Sequence, residues 1–520
     1  MELDNRQYWT ILVGNMRRVF LRRSSSLSCD SSAAWPATAK EKEKREGGRM
    51  KSARKLGILV FSFLALLSAC QQSGDGGGTT PVSTVKWAWV SGSKTVNQAG
   101  TYGIKGTAAP SNIPGAREQA VTWVDSSGTL WLFGGYAYDS TGYIGQLNDL
   151  WKFDPTTLAW TWVSGSSAYG QAGIYGTKGT AAPSNVPGAR KWAVSWLDSD
   201  SKLWLFGGLG YFETGHFGSL NDLWKYDPAT LEWTWVSGSD SGDQTGIYGT
   251  QGTADLSNVP GGRVGAVSWI DPQGQLWLFG GYGYDSVGTK GSLNDLWKYD
   301  PATLEWTWVS GSSARDQAGT YGTKGTADPS NVPGAREHAV TWIDSSGTLW
   351  LFGGEGLVTA DTRGDLNDLW KYDPTTLEWI WVSGSNSTNQ AGTYGTLGTA
   401  ASSNVPGGRY AAVSWLDPAG KFWLFGGFGY YSAGNDGWLN DLWKYDPTTL
   451  EWTWESGSSS QGRPGAYGTQ GTADLSNVPG GRFFSVSWID LQGKLWLFGG
   501  YGIDSEGKGG WLNDLWREPQ

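Results

Sequence analysis

Short apolar runs that alternate with polar positions, each closed by turn residues, recur along this chain from about residue 87 to its end. In the first complete copy, AVTWVD (Ala120 to Asp125) and LWLF (Leu130 to Phe133) flank DSSGT. That turn has the Asp and Gly a short hairpin wants. A loop from Gly134 to Gln146 follows, then a third strand DLWKF (Asp149 to Phe153), the turn DPTTLA, and a fourth strand WTWV (Trp160 to Val163). Trp160 and Trp162 share one face by period two. The pattern predicts four antiparallel strands per unit.

The unit repeats with a fixed length. The first Trp of each W-x-W pair falls at Trp87, Trp160, Trp233, Trp306, Trp379 and Trp452, always 73 residues apart. The glycine pairs opening at Gly134, Gly207, Gly280, Gly353, Gly426 and Gly499 keep the same spacing, as do the NDLW motifs. Six antiparallel four-stranded units predict an all-β fold, a six-bladed β-propeller. The double glycine after strand two, with an aromatic (Phe153, Tyr elsewhere) seven positions before the first Trp, resembles the kelch motif across residues 87 to 520. The unit is longer than the roughly 50 residues of a kelch repeat, and the excess falls mainly between strand four and the next strand one, as in Gly165 to Pro187. The last unit lacks a fourth strand while Trp87 to Val90 is a fourth strand with no unit before it. The N-terminal strand is therefore expected to close the ring by pairing with the C-terminal unit.

Composition adds an address. MKSARKLGILVFSFLALLSACQQ, from Met50, has a basic start and an apolar run too short to span a bilayer. Leu67-Ser68-Ala69-Cys70 resembles the lipobox of bacterial lipoproteins, which implies lipidation at Cys70. The expected organisation is a mis-set start over residues 1–49, a signal peptide over 50–69, a flexible tether over 70–85 and the propeller over 86–520. An export address at the outer membrane, with the lipid as the sole membrane contact, follows from the same reading. The net charge of -9 understates the acidity of the mature part, because the leader is basic. Such a balance argues against nucleic acid. With cysteines only at 29 and 70, no disulfide braces the fold. A monomer is expected.

By strand parity, one face carries short, nearly identical turns and the other carries the long loops, so the long-loop face is the candidate for binding. Arg117, Arg190, Arg263, Arg336, Arg409 and Arg482 open the innermost strands there. The kelch resemblance implies arginines that accept acidic peptides; the alternative, preferred because unpaired guanidinium groups repel, is a structural ring paired with repeated Asp such as Asp149. Departures from repetition are the better clue. Before LND stand Gln146, Ser219, Ser292 and Asp365, then Trp438 and Trp511. With Tyr430, Tyr431 and Tyr501 nearby, these tryptophans suit stacking on sugars or anchoring a protein, or else fold back as local core. Arg363-Gly364-Asp365 matches an integrin-binding tripeptide and is read as a chance match.

Kelch propellers include galactose oxidase, whose copper site needs two His, a Tyr and a Tyr–Cys crosslink. Only His216, His338 and, in the mature chain, Cys70 are on offer, so copper-radical oxidation is excluded on inventory, and no metal or cofactor is expected. Hydrolysis by paired carboxylates stays open. Most repeated Asp sit in turns (Asp125, Asp154) or at strand starts (Asp149), where local backbone bonding is expected; Glu213, Glu355, Asp361, Asp436 and Glu506 are the exceptions on the long-loop face. The expectation is an envelope lipoprotein that binds a glycan or a protein, with a glycan-active hydrolase or lyase as one alternative and a structural envelope component as the other.

Overall fold

The computed structural model describes residues 85–518. The expected start, the signal segment, Cys70 and the tether short of Val85 lie outside the described residues. Among these residues the regular structure is all strand, arranged as repeated four-stranded antiparallel sheets compatible with propeller blades. The first complete sheet contains Val121–Val124, Leu130–Tyr138, Ile144–Asp154 and Ala159–Ser164, each paired with the next in chain order. Its residues are the β-branched and aromatic types that fit a pleated, buried surface.

Both faces of each sheet are buried, because consecutive sheets stack on one another. Trp123, Trp131 and Phe133 of one unit pack with Leu203, Leu205, Trp224, Tyr226 and Trp233 of the next, and the same arrangement recurs between the later units. The Trp123 indole donates to the Trp204 carbonyl across the junction, at 3.2 Å. Each fully buried Trp removes about 200 Å² from water, about 5 kcal/mol as an upper bound. Stacked tryptophans therefore supply the cohesion that disulfides do not. The N-terminal strand Ala88–Ser91 pairs antiparallel with the C-terminal Leu515–Glu518, with Trp89 opposite Trp516.

Three details correct the sequence expectation. The stretch read as a loop from Gly134 to Gln146 is mostly strand: strand two continues through Tyr138 and strand three begins at Ile144. In the first three complete units the double glycine is a bulge rather than an end, whereas in the last three strand two ends before the pair, at Phe352, Phe425 and Phe498, and the extension is a strand of its own. Gly134 and Gly135 have φ of +65° and +97°, and a Cβ on Gly135 would sit 2.6 Å from the Glu118 carbonyl oxygen, so the backbone bends there and carries on. Strand one is likewise split into Arg117–Glu118, which pairs with the extension, and Val121–Val124.

The third correction concerns the extra residues between units. They run along the outer edge of the following sheet instead of standing free as a loop. Gly106 N–H donates to the Trp162 carbonyl at 2.7 Å, and Asn112 Nδ2 donates to the Trp160 carbonyl at 3.0 Å. Gly471 and Asn477 make the same contacts with Trp89 and Trp87 of the N-terminal strand. An outermost strand would otherwise present unpaired backbone groups, which the linker satisfies. This edge cover accounts for the long repeat.

Candidate functional site

The six arginines are internal struts. Arg117, 1% exposed, donates to both oxygens of Asp149, 0% exposed, at 2.9 and 2.7 Å, and to the carbonyls of Gly115 and Gly134. Tyr102 and the Trp151 indole each donate to the same carboxylate at 2.7 Å. The same bidentate pair is formed by Arg190 with Asp222, Arg263 with Asp295, Arg336 with Asp368, Arg409 with Asp441 and Arg482 with Asp514. Burial opposes the charge on Arg117, but Asp149 outweighs it and holds the guanidinium above its ordinary pKa. Buried, and with all three guanidinium nitrogens engaged, these arginines offer nothing to an anionic ligand. Asp149 also corrects an expectation, since its partners are side chains rather than local backbone. Asp125 and Asp154 do cap their own turns.

Two residues past each arginine the repetition stops. The equivalent positions are Gln119, Trp192, Gly265, His338, Ala411 and Phe484, all with φ between +53° and +62°. Each N–H donates to the carbonyl of its counterpart one unit earlier, from Trp192 to Gln119 at 3.2 Å through Phe484 to Ala411 at 2.9 Å, and Gln119 donates to Phe484 at 3.1 Å. This cycle of six hydrogen bonds surrounds a cavity of about 160 Å³. Gly265 and Ala411 leave room beside the larger side chains, and three rings meet: Trp192 and His338 are 5.5 Å apart, His338 and Phe484 4.8 Å, Trp192 and Phe484 6.0 Å.

One position nearer the arginine, a row of side chains crosses each hairpin extension. Glu118 faces Tyr136 and then Gln146; Glu337 faces Glu355 and then Asp365; Tyr410 faces Phe428 and then Trp438; Phe483 faces Tyr501 and then Trp511. The rows of the fifth and sixth units are aromatic throughout. Trp438 meets Tyr501 at 5.5 Å, Tyr501 meets Trp511 at 4.9 Å, and Trp511 reaches Tyr136 and Tyr138 of the first complete unit at 5.8 and 6.0 Å. Trp438 and Trp511 are half-buried, as is Tyr501. Tyr430 and Tyr431 stand apart from this run. Tyr430 lies opposite Asp436, and the Tyr431 hydroxyl accepts from Asn435 within the hairpin turn.

The fourth row is acidic. Arg363 bonds both Glu337 and Glu355, and also Ser292. Burial nevertheless pushes the Glu337 carboxyl up to about 7, opposed by Arg363 and reinforced by Glu355. Asp365, 8% exposed, is pushed well above the carboxylate range by burial, then by Glu355 and Asp436. These placements remove the integrin reading, because Arg363 is engaged and Asp365 is buried. Glu118 also rises to about 7 through burial, although Lys191 and the Trp511 indole favour its charge. Of the five acidic candidates, Glu355 and Asp436 converge on Asp365, Glu506 pairs with Lys508 at 2.7 Å, and Glu213 and Asp361 are exposed. His216 is exposed and bonds Thr214. Among the described residues, no group of three or more His, Cys, Asp or Glu is arranged to hold a metal ion.

The hydrogen-bonded ring and the buried Glu118 and Glu337 were not singled out from sequence, where His338 entered only as a possible copper ligand and Asp365 only as a departure before LND and in a chance tripeptide. Their signal was present: the two positions after each repeated arginine read Glu-Gln, Lys-Trp, Val-Gly, Glu-His, Tyr-Ala and Phe-Phe in an otherwise constant motif. Compared with known proteins, the chain matches no family model and no curated protein.

Proposed function

We propose that this protein is a glycan-binding module, built on a six-bladed kelch-type propeller and held at the bacterial cell envelope by a lipid on Cys70. The observation that carries the binding reading is the aromatic run through Trp438, Tyr501, Trp511 and Tyr136, at positions where other units carry Leu209, Ser219 and Ser292. A pyranose presents flat C–H faces to such rings and hydroxyls to polar groups beside them, and half-buried rings held edge to face are already ordered for that contact. Closure of the propeller draws support from the pairing of the chain's two ends and from the cycle of six hydrogen bonds. The kelch assignment and the lipid anchor draw support from the glycine pairs and the Met50–Cys70 segment of the sequence.

The test is a glycan-array and envelope-fraction binding screen of the full-length chain beside a Trp438→Ala/Trp511→Ala variant matched for thermal stability. Loss of at least tenfold in affinity is expected, because each Trp carries hot-spot-sized contact area. Unchanged binding, or none in either protein, would overturn the reading. A hydrolase on the same face is the second reading, motivated by a buried carboxyl pushed above its ordinary range, Asp365, with Glu355 directly across the hairpin from it. Asp365 would then be the acid and Glu355 or Asp436 its partner. Following the same incubations for newly released sugar ends decides between them.

A further inference from the structure

The ring of six differing residues encloses a space that the repeat alone does not explain. Its floor is made small by Ala193, Ala266, Ala339 and Ala412, and the volume of about 160 Å³ is that of a cavity able to take one six-membered ring. Two polar atoms at this ring have no partner within the protein: Gln119 Oε1, on a side chain 8% exposed, and the Trp192 indole nitrogen. Indole nitrogens are also unpaired in the repeated core, at Trp160, Trp233 and Trp306, so what distinguishes this site is that an unpaired acceptor and an unpaired donor belong to residues lining one cavity, where a ligand supplying both would satisfy them. The lining carries no charge. His338 stays neutral because burial, then Arg363 and Lys191, push its imidazole down to about 3, so one ring nitrogen donates and the other accepts.

Ring contacts through the buried Phe483 link the cavity wall to the aromatic run. Phe484 of the ring lies 5.1 Å from Phe483, which lies 5.7 Å from Tyr501, the residue that touches both Trp438 and Trp511. A cation is a poor occupant, since Lys191 Nζ already sits 3.9 Å from the centre of the Trp192 ring and would repel it. We infer that the cavity seats the terminal residue of a glycan, an uncharged hydroxylated six-membered ring, while the residues that follow lie along the half-buried Tyr501, Trp511 and Trp438. This rests on the glycan-binding reading and adds to it that recognition is of a chain end.

Calorimetric titration of the full-length chain tests it, with neutral hexaoses of glucose, mannose, galactose and N-acetylglucosamine as probes. Gln119→Met and Trp192→Phe each delete one unpartnered polar atom while keeping side-chain length or ring, so melting temperatures should hold or rise. For any hexaose that the wild type binds, at least one of the two is expected to weaken affinity about tenfold, the scale of a lost buried hydrogen bond. Opening the sugar ring at one end or methylating the other should cost the wild type a similar factor at one of the ends. If both variants bind like the wild type while Trp438→Ala/Trp511→Ala does not, the end-recognition inference falls and the glycan reading stands. If the wild type binds no hexaose, both fall together.

Discussion

Arg117 opens strand one and Gln119, two residues on, sits at the break that splits it, yet the two belong to different kinds of structure. Arg117 has five identical counterparts, each locked to an Asp by a buried pair. Gln119 has five counterparts that share its backbone geometry and none of its chemistry. Selection on the fold alone explains the first set, because a strut does the same task wherever it stands. It does not explain the second, where one backbone cycle is kept and six different side chains are hung on it. Recognition of a ligand that is not itself symmetric, as proposed above, would account for such a difference.

The strongest challenge to that comparison is to remove a strut. Arg190→Ala leaves Asp222, 0% exposed, as an uncompensated buried charge, for which about 3–5 kcal/mol is expected. Arg409→Ala should cost a similar amount, because Asp441 and Tyr394 repeat the same contacts. Gln119→Met, in the ring, should cost less than about 1 kcal/mol, since it breaks no hydrogen bond within the protein. Chemical denaturation of the three variants checks this. Large inequality between the two arginines, or unfolding by the ring substitution, would mean that the two sets are not separate in role.

How much of this was legible in the sequence depended on how local the cause was. Strand alternation and turn chemistry act over a few residues, so the four strands and their repeat could be read directly. The arginine struts could be anticipated because both partners repeat. The glycine pairs misled because a positive φ either ends a strand or bulges it, and the difference lies in a distant strand, Arg117–Glu118, that the extension meets. Trp438 and Trp511 stood out as departures, whereas Tyr136 joins them only because the first and last units touch. Tyr430 and Tyr431 were grouped with the tryptophans by sequence proximity, but Tyr430 ends its strand opposite Asp436 and Tyr431 belongs to the hairpin turn.

A smaller effect separates the acidic row of the fourth unit from the aromatic rows beside it. The folded Glu337 carboxyl holds its proton to about 7, above the ordinary unfolded value of about 4.3. Its contribution to stability is therefore complete below the unfolded pKa and is lost as pH rises through 7. Glu118 and Glu518, also raised to about 7 by burial first, act in the same direction. Stability should fall between pH 5 and 8, and Glu337→Gln should recover about 2 kcal/mol of that fall by order of magnitude, with Arg363 still held by Glu355. Urea titrations at the two pH values would show it. A wild-type profile that is flat, or a variant that falls as steeply, would place Glu337 in an ordinary solvated environment and leave the fourth row no different from a surface.

The mildest test concerns residues that are repeated and still costly. Leu158, Leu231, Leu304, Leu377 and Leu450 close the turn before strand four with φ between +56° and +64°, and all five are exposed. Leu231 N–H completes the turn by donating to the Asp227 carbonyl at 2.8 Å, which any residue could do. A left-handed leucine strains the backbone by about 1 kcal/mol, and asparagine tolerates that conformation. Leu231→Asn is therefore expected to raise stability by up to about 1 kcal/mol in thermal denaturation and to leave glycan affinity unchanged, since the turn lies at the end of strand three remote from the hairpin extension. A loss of stability would show that the leucine side chain packs to an advantage larger than its strain, restoring the rule that repetition marks structural benefit. A change in binding would be the more informative failure, because it would move part of recognition onto the repeated half of the molecule.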